Sequence, residues 1–193
     1  KVFFGELAED PLVRAVVITS DKPDNFLAGA DIDQFLLIKT AEDGTAMDKR
    51  GQDLINRVEA YPKPTVVAIH GACMGAGLEM ALACWWRIAT DHPKTQLVLP
   101  EVQIGILPGA GGCQRLPRTI GVRAALEMIL PGKAERAAKA YKIGLVDEKK
   151  VGITGGSYGG YATAWGATAL SNRFAAGVMF VGFLPLSGKR TTW

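Results

Sequence analysis

Histidine is almost absent from these 193 residues: His70 and His92 are the only two. Cysteine is nearly as scarce, at Cys73, Cys84 and Cys113. An odd number of thiols without metal-ligand spacing argues against a disulfide scaffold and for reduced cysteines in a cytosol-like compartment. The two histidines lack partners at useful spacing in the sequence, so they read as structural or surface residues and no metal is expected. No apolar run approaches the ~20 residues that a membrane-spanning helix needs. Lysines and arginines are scattered and the net charge is only +3, which gives nucleic acid no basic face. The start, Lys1-Val-Phe-Phe-Gly-Glu6, has neither a signal-peptide layout nor a starting Met and reads as internal. Residues 151–193 lack Asp, Glu and His altogether while holding nine of the 23 glycines, which is the one clear composition boundary.

What is present fits a globular α/β protein. A chain of this length holds one well-packed domain, and 48% hydrophobic with 21% charged residues is a globular balance. The run Ala15-Val-Val-Ile18 within 13–20 suits a buried strand, as does Thr65-Val-Val-Ala-Ile-His70, and a third short strand is expected at 96–99. Residues 47–59 carry a helical face through Leu54, Ile55 and Val58, closed by Pro62 and Pro64. An apolar helix is expected from Leu78 to about Trp86, with further helices near 122–130 and 134–142, the last stopping at Gly144. Strands, glycine turns and helices alternate, which predicts a mostly parallel sheet.

Glu79 is the anomaly. It lies in Gly77-Leu-Glu-Met-Ala-Leu-Ala-Cys84, among residues that prefer the interior, where a carboxylate pays a desolvation cost. Two readings stand for it alone: a working acid or base, or a first-turn glutamate favoured by the helix dipole by ~0.3–1 kcal/mol. Glu101, after a strand and Pro100, reads alone as a solvated turn residue. Together the two suit general acid/base work on one water. Hydration of a double bond conjugated to a thioester also builds charge on the thioester oxygen, which calls for backbone N–H donors. The turn Gly75-Ala76-Gly77 before the Glu79 helix supplies such donors, and the loop Ala28-Gly29-Ala30-Asp31 is the natural place for a second. The same small residues are also explained by close backbone packing. A dinucleotide fingerprint fails, since its third glycine position is Met80, and no Walker loop exists.

Taken in order, the segments Lys22-Pro-Asp-Asn-Phe-Leu-Ala-Gly-Ala-Asp-Ile32, His70-Gly-Ala-Cys-Met-Gly-Ala-Gly-Leu-Glu79, Arg87-Ile-Ala-Thr-Asp-His92, Leu99-Pro-Glu101, Pro108-Gly-Ala-Gly-Gly-Cys-Gln-Arg-Leu-Pro-Arg118 and Gly144-Leu-Val-Asp147 resemble the crotonase (enoyl-CoA hydratase/isomerase) superfamily, and most of all the hydratase part of fatty-acid oxidation α-subunits. The resemblance covers about residues 5–148 and implies a crotonase-like spiral of ββα units, truncated at both ends. It implies that Glu79 and Glu101 hold the catalytic water and that the N–H groups of Ala30 and Ala76 form the oxyanion hole. Ala28, Gly29, Asp31, Gly77 and Gly109 would then line the acyl-CoA, with coenzyme A part of the substrate and no separate cofactor. It further implies a cytoplasmic homotrimer, or a hexamer, working in fatty-acid β-oxidation. The chain departs from the family pattern at Ala76, where a glycine is usual, at Trp85, where an Asp is usual, and at Val98, where a glycine is usual.

The remainder, 149–193, is expected as a separate segment. Its Val151-Gly-Ile-Thr-Gly-Gly-Ser157-Tyr-Gly-Gly-Tyr161 is a strand, nucleophile elbow and helix, and to about Val181 it resembles the prolyl oligopeptidase family of serine peptidases. Ser157 would be the nucleophile, yet neither Asp nor His follows it to act as base. A strand and helix that complete the sheet, or a peptidase fragment joined to a truncated hydratase, fit the same residues. The functional expectation is an enoyl-CoA hydratase. The alternatives are an enoyl-CoA isomerase, a catalytically silent crotonase-like scaffold, and a serine hydrolase using Ser157.

Overall fold

The computed structural model describes residues 2–147, 153–155 and 177–179. The chain divides into two compact units, Lys1–Lys149 and Lys150–Trp193. The first opens with helix α1 (Val2–Glu9), which Lys63 Nζ anchors by donating to the carbonyls of Leu7 at 2.7 Å and Asp10 at 2.6 Å.

Three successive turns of chain then repeat one plan: a strand in a first sheet, a short joint, a strand in a second sheet, and a helical segment. The first turn is β1 (Val16–Ile18), β2 (Asn25–Leu27), a 3₁₀ turn Ile32–Leu37 and α2 (Ala41–Glu59). The second is β3 (Thr65–Ile69), β4 (Ala72–Met74) and α3 (Ala76–Ala83). The third is β5 (Trp86–Ala89), β6 (Gln96–Val98), a 3₁₀ turn Glu101–Ile104 and α4 (Gly112–Ile120). The first sheet runs β1-β3-β5 and the second β2-β4-β6, all parallel. Helix α5 (Val122–Ile129), the antiparallel edge strand β7 (Glu135–Arg136) beside β6, and α6 (Ala137–Lys142) complete the unit. This is the mixed α/β crotonase-like spiral that the resemblance implies.

The core follows from the strand periodicity. Thr65, Val67 and Ile69 alternate inward along β3, and Leu78, Leu97, Leu99, Leu116 and Met128 close over them. Helix α3 shows no polar face because six of its eight residues are buried. Arg87 bolts the chain's third turn to the segment after α6. Its Nε donates to the carbonyl of Leu145 at 2.9 Å, its Nη1 to that of Cys84 at 3.0 Å, and its Nη2 pairs with Asp147 Oδ2 at 3.2 Å.

Three expectations shift. The helix foreseen from Leu78 to Trp86 ends at Ala83, because Trp85 N–H turns to Thr65 Oγ1 at 3.1 Å and Trp86–Ala89 joins β3 as β5. The helix foreseen from 47 begins at Ala41, where Thr40 and Asp43 form a reciprocal capping box. The helix foreseen over 134–142 gives its first residues to β7. Among the described residues no helix is long and apolar enough to cross a membrane.

In the second unit, β8 (Ile153–Gly155) pairs in parallel with β9 (Gly177–Met179). The elbow serine, Ser157, and the helix expected after it lie outside the described residues.

Candidate active site

The three parallel strands of the second sheet end at one place. Leaving β2 the chain enters Ala28–Asp31, leaving β4 it enters Gly75, and leaving β6 it reaches Pro100 and Glu101. Gly75 carries φ +52°, a backbone that an L side chain rarely adopts. A Cβ placed there would stand 2.8 Å from Glu101 Oε1 and 3.7 Å from the Cα of Gly29. The loop at Gly29, the turn at Gly75 and the Glu101 carboxylate therefore converge. Gly75 N–H donates to the carbonyl of Val98 at 2.9 Å, which fixes the turn to the end of β6. Val98, in place of a glycine, lies buried in β6 opposite Met74.

Ala76 opens α3, so its N–H has no acceptor one turn earlier within the helix and points out of the helix end. Its backbone is helical, a conformation that alanine takes as readily as the usual glycine. Gly77 is required for packing, since a Cβ there would collide with the carbonyl of Leu27. Ala30 is exposed on its loop, and Gly29 there has φ +106°.

Glu79 sits one turn into α3 and is only 2% exposed. Its Oε1 accepts from the N–H of Ala110 at 2.9 Å and of Gly112 at 2.8 Å. Burial nevertheless raises its pKa above the ordinary carboxylate range, against the pull of those two donors and of the Arg115 charge. Glu101 is half-buried at the head of its 3₁₀ turn, with Oε2 enclosed and unpartnered among the described residues. Its pKa is also raised, by burial first and by the Glu79 charge as well. The Glu79 charge is thus felt at Glu101, and each carboxyl takes up a proton more readily than it would in water.

Other members of the site are less legible from sequence. Arg115, on α4, is almost fully buried and ties three segments together. It donates to the carbonyl of Ala110 at 3.1 Å, to Asn56 Oδ1 at 2.7 Å, and to Glu59 Oε2 at 2.7 Å. It therefore clamps against α2 the same turn whose N–H groups hold Glu79. Gly109 packs on α2: Gln52 Nε2 donates to its carbonyl at 2.8 Å, and a Cβ would come 2.7 Å from Asp48 Oδ1. Cys113, on the first turn of α4, has its thiol pKa raised by burial and then by the charges of Glu79 and Glu101. The segment Gly109–Arg118 was the available signal for these residues, but nothing in its spacing said which of them face Glu79.

The two histidines part from expectation. His70 and His92 come together with ring centroids 4.7 Å apart, beside Asp24, at the opposite end of the second sheet.

Comparison with known proteins identifies the family of the fold. The pattern that defines the Enoyl-CoA hydratase/isomerase family matches residues 2–151, and that of the Prolyl oligopeptidase family matches residues 134–192. Enoyl-CoA hydratase from Bacillus anthracis is 36% identical with a TM-score of 0.70, over 76% of this chain and 55% of that one. An enoyl-CoA hydratase from Geobacillus kaustophilus gives the same identity, TM-score and coverage. DspI from Pseudomonas aeruginosa is 35% identical with a TM-score of 0.72, over 78% of this chain and 56% of that one. The chain spans little more than half the length of these structures. With its three-turn spiral, and with a match over most of its length, the chain belongs to the enoyl-CoA hydratase/isomerase family.

Proposed function

We propose that this chain binds an acyl-CoA thioester and adds water across the 2,3-double bond of an enoyl-CoA. The observation that carries the reading is the pair of carboxylates, buried Glu79 and half-buried Glu101, both with raised pKa values, with Glu101 against the converging Gly29 and Gly75 turns. One carboxylate takes the proton of a water as its oxygen bonds to C3. The other delivers a proton to C2, so the carboxylate pair is left with the same total of protons. Between those events the thioester oxygen carries negative charge, and the N–H groups of Ala30 and Ala76 meet it. Ala28, Gly29, Asp31, Gly77 and Gly109 shape the acyl-CoA cleft in this reading, and coenzyme A arrives as part of the substrate without a further cofactor. A place in cytoplasmic fatty-acid β-oxidation, and assembly into trimers, belong to the same proposal.

Hydration of crotonyl-CoA, followed by loss of its conjugated absorbance, tests it. The expected result is turnover in the parent chain and a drop of about a hundredfold to ten-thousandfold in Glu101→Gln and in Glu79→Gln. An unchanged rate in Glu101→Gln would remove the two-carboxylate mechanism. Isomerisation of a 3-enoyl-CoA that survives Glu101→Gln would move the reading to an isomerase using Glu79 alone. Turnover and CoA binding that are both absent in the parent would leave a silent scaffold. Fluorophosphonate labelling lost in Ser157→Ala would instead support a hydrolase.

A further inference from the structure

The joints between the two sheets stack on one another. Each of the three spiral turns crosses from its first-sheet strand to its second-sheet strand through a short connection: 19–24 between β1 and β2, His70 and Gly71 between β3 and β4, and 90–95 between β5 and β6. Parallel register aligns Asn25 with Ala72 and Ala72 with Gln96, so the residues just before them are neighbours although far apart in sequence. Asp24, His70 and His92 occupy these three joints, one on each. Their carboxylate oxygen and imidazole nitrogens all lie within 4.8 Å of one another.

We propose that Asp24, His70 and His92 form a binding site for a borderline divalent cation of the Zn²⁺ or Co²⁺ type, which staples the three turns of the spiral. Two imidazole nitrogens and one carboxylate oxygen suit that class of ion, with the remaining positions open to water. The surroundings set up at least one ligand. His70 Nδ1 lies 3.0 Å from Thr90 Oγ1, which in turn lies 2.9 Å from Thr95 Oγ1. The Thr95 hydroxyl accepts from the N–H of Gly71 at 3.1 Å. When Thr95 donates its own proton to Thr90, Thr90 Oγ1 can accept from His70 Nδ1–H. That tautomer leaves the Nε2 lone pair of His70 for a metal, held by an outer hydrogen bond. The Lys94 ammonium now rests on Asp24 Oδ2 at 2.7 Å, but its side chain is 62% exposed and can swing away as a divalent ion takes its place. The rings of His70 and His92 sit tilted at 37°, and neither is fully buried, so χ rotations can bring their nitrogens to ligand spacing.

The test uses the full chain, dialysed against chelator and titrated with Zn²⁺ by calorimetry, with Co²⁺ absorption as a second reading. The expected result is one ion per chain, a thermal midpoint raised by Zn²⁺, and Co²⁺ bands without a thiolate charge-transfer component. His92→Ala and His70→Ala are each expected to weaken binding by about tenfold or more. Lys94→Met, which removes the competing ammonium, is expected to tighten it severalfold. Melting in chelator checks that each variant folds, and His92→Gln, a surface change, keeps the test open if His70→Ala does not. Zn²⁺ affinity within about twofold of the parent in His92→Gln, or binding lost in Cys113→Ser instead, would overturn the site.

Discussion

The three parallel strands of the second sheet, β2, β4 and β6, have two ends, and these are put to opposite uses. At the C-terminal ends of β2, β4 and β6 the chain makes glycine turns and encloses two carboxylates whose pKa values burial raises. At the N-terminal ends it makes joints that carry Asp24, His70, Thr90, His92, Lys94 and Thr95, where the Asp24 carboxylate is paired with Lys94 and its pKa is lowered, first by that hydrogen bond. Enclosure separates the two ends. Burial at the first end resists ionisation, whereas exposure at the second lets opposite charges meet in water. A spiral of parallel units gathers loops from every turn at both ends of its strands, so either end can collect a site. Chemistry that depends on altered proton affinity suits the enclosed one.

The largest separation between the ends is expected in turnover. Glu101→Gln should abolish most hydration while leaving the melt close to the parent's. Thr95→Val at the other end should leave the rate within about threefold and lower the melt instead. Thr95 is fully buried, and its hydroxyl is the acceptor for Gly71 N–H, so its loss strands a buried donor at a cost of about 1–3 kcal/mol. Steady-state rates beside thermal melts read both effects. A Thr95→Val enzyme slowed as much as Glu101→Gln would mean that the two ends are not independent.

The paired glycines sharpen the contrast. Gly71 and Gly75 flank β4, one at each end, and both have positive φ. A methyl at Gly71 would meet the backbone of Asp24, which cannot step aside, so Gly71→Ala is expected to cost about 3 kcal/mol or more through clash and strain together. A methyl at Gly75 would meet the end of the Glu101 side chain, which can rotate. Gly75→Ala is therefore expected to lose less stability, about 1–3 kcal/mol from backbone strain, and far more activity. Chemical denaturation paired with the hydration assay checks it. Equal stability losses with equal rates would refute the distinction.

Much of the first end was legible in sequence, and little of the second. Glu79 declared itself as a charge inside an apolar helix, and the glycines around it as turns. β3 and β6 appeared as short apolar runs near their observed bounds. β5 did not, because Met80 through Trp86 reads as one continuous apolar stretch, and periodicity cannot locate a helix end inside it. Thr65, far upstream, supplies the hydroxyl that meets Trp85 N–H just past the end of that helix. Helix α4 stayed hidden behind Pro117, which looks like a terminator but lies within it. Arg115 gave no signal as the clamp on the Glu79 turn, since its partners Asn56, Glu59 and Ala110 come from two other segments. The Asp24, His70 and His92 cluster was invisible for the same reason. Its members are neighbours only through strand register, which sequence spacing does not state.

The smallest expected effect is one of sign. Burial places the folded-state pKa of Glu79 above its unfolded value. An acid shifted this way favours the fold fully below its unfolded pKa of about 4.3, and that contribution is lost as pH rises through the folded value. Glu79→Gln removes the ionisable group but keeps an oxygen for the N–H groups of Ala110 and Gly112. The variant should therefore melt at or above the parent at neutral pH, with the difference closing in acid. Asp24 is shifted the other way, so its contribution is present above the unfolded pKa and lost as pH falls through the folded one. Asp24→Asn should melt slightly below the parent at neutral pH, and that difference too should close in acid. Thermal midpoints taken in chelator across the acid-to-neutral range compare the two directly. If Glu79→Gln melts clearly below the parent at neutral pH, the Arg115 charge and the two N–H donors outweigh burial, and the enclosed end is a site built to keep Glu79 ionised.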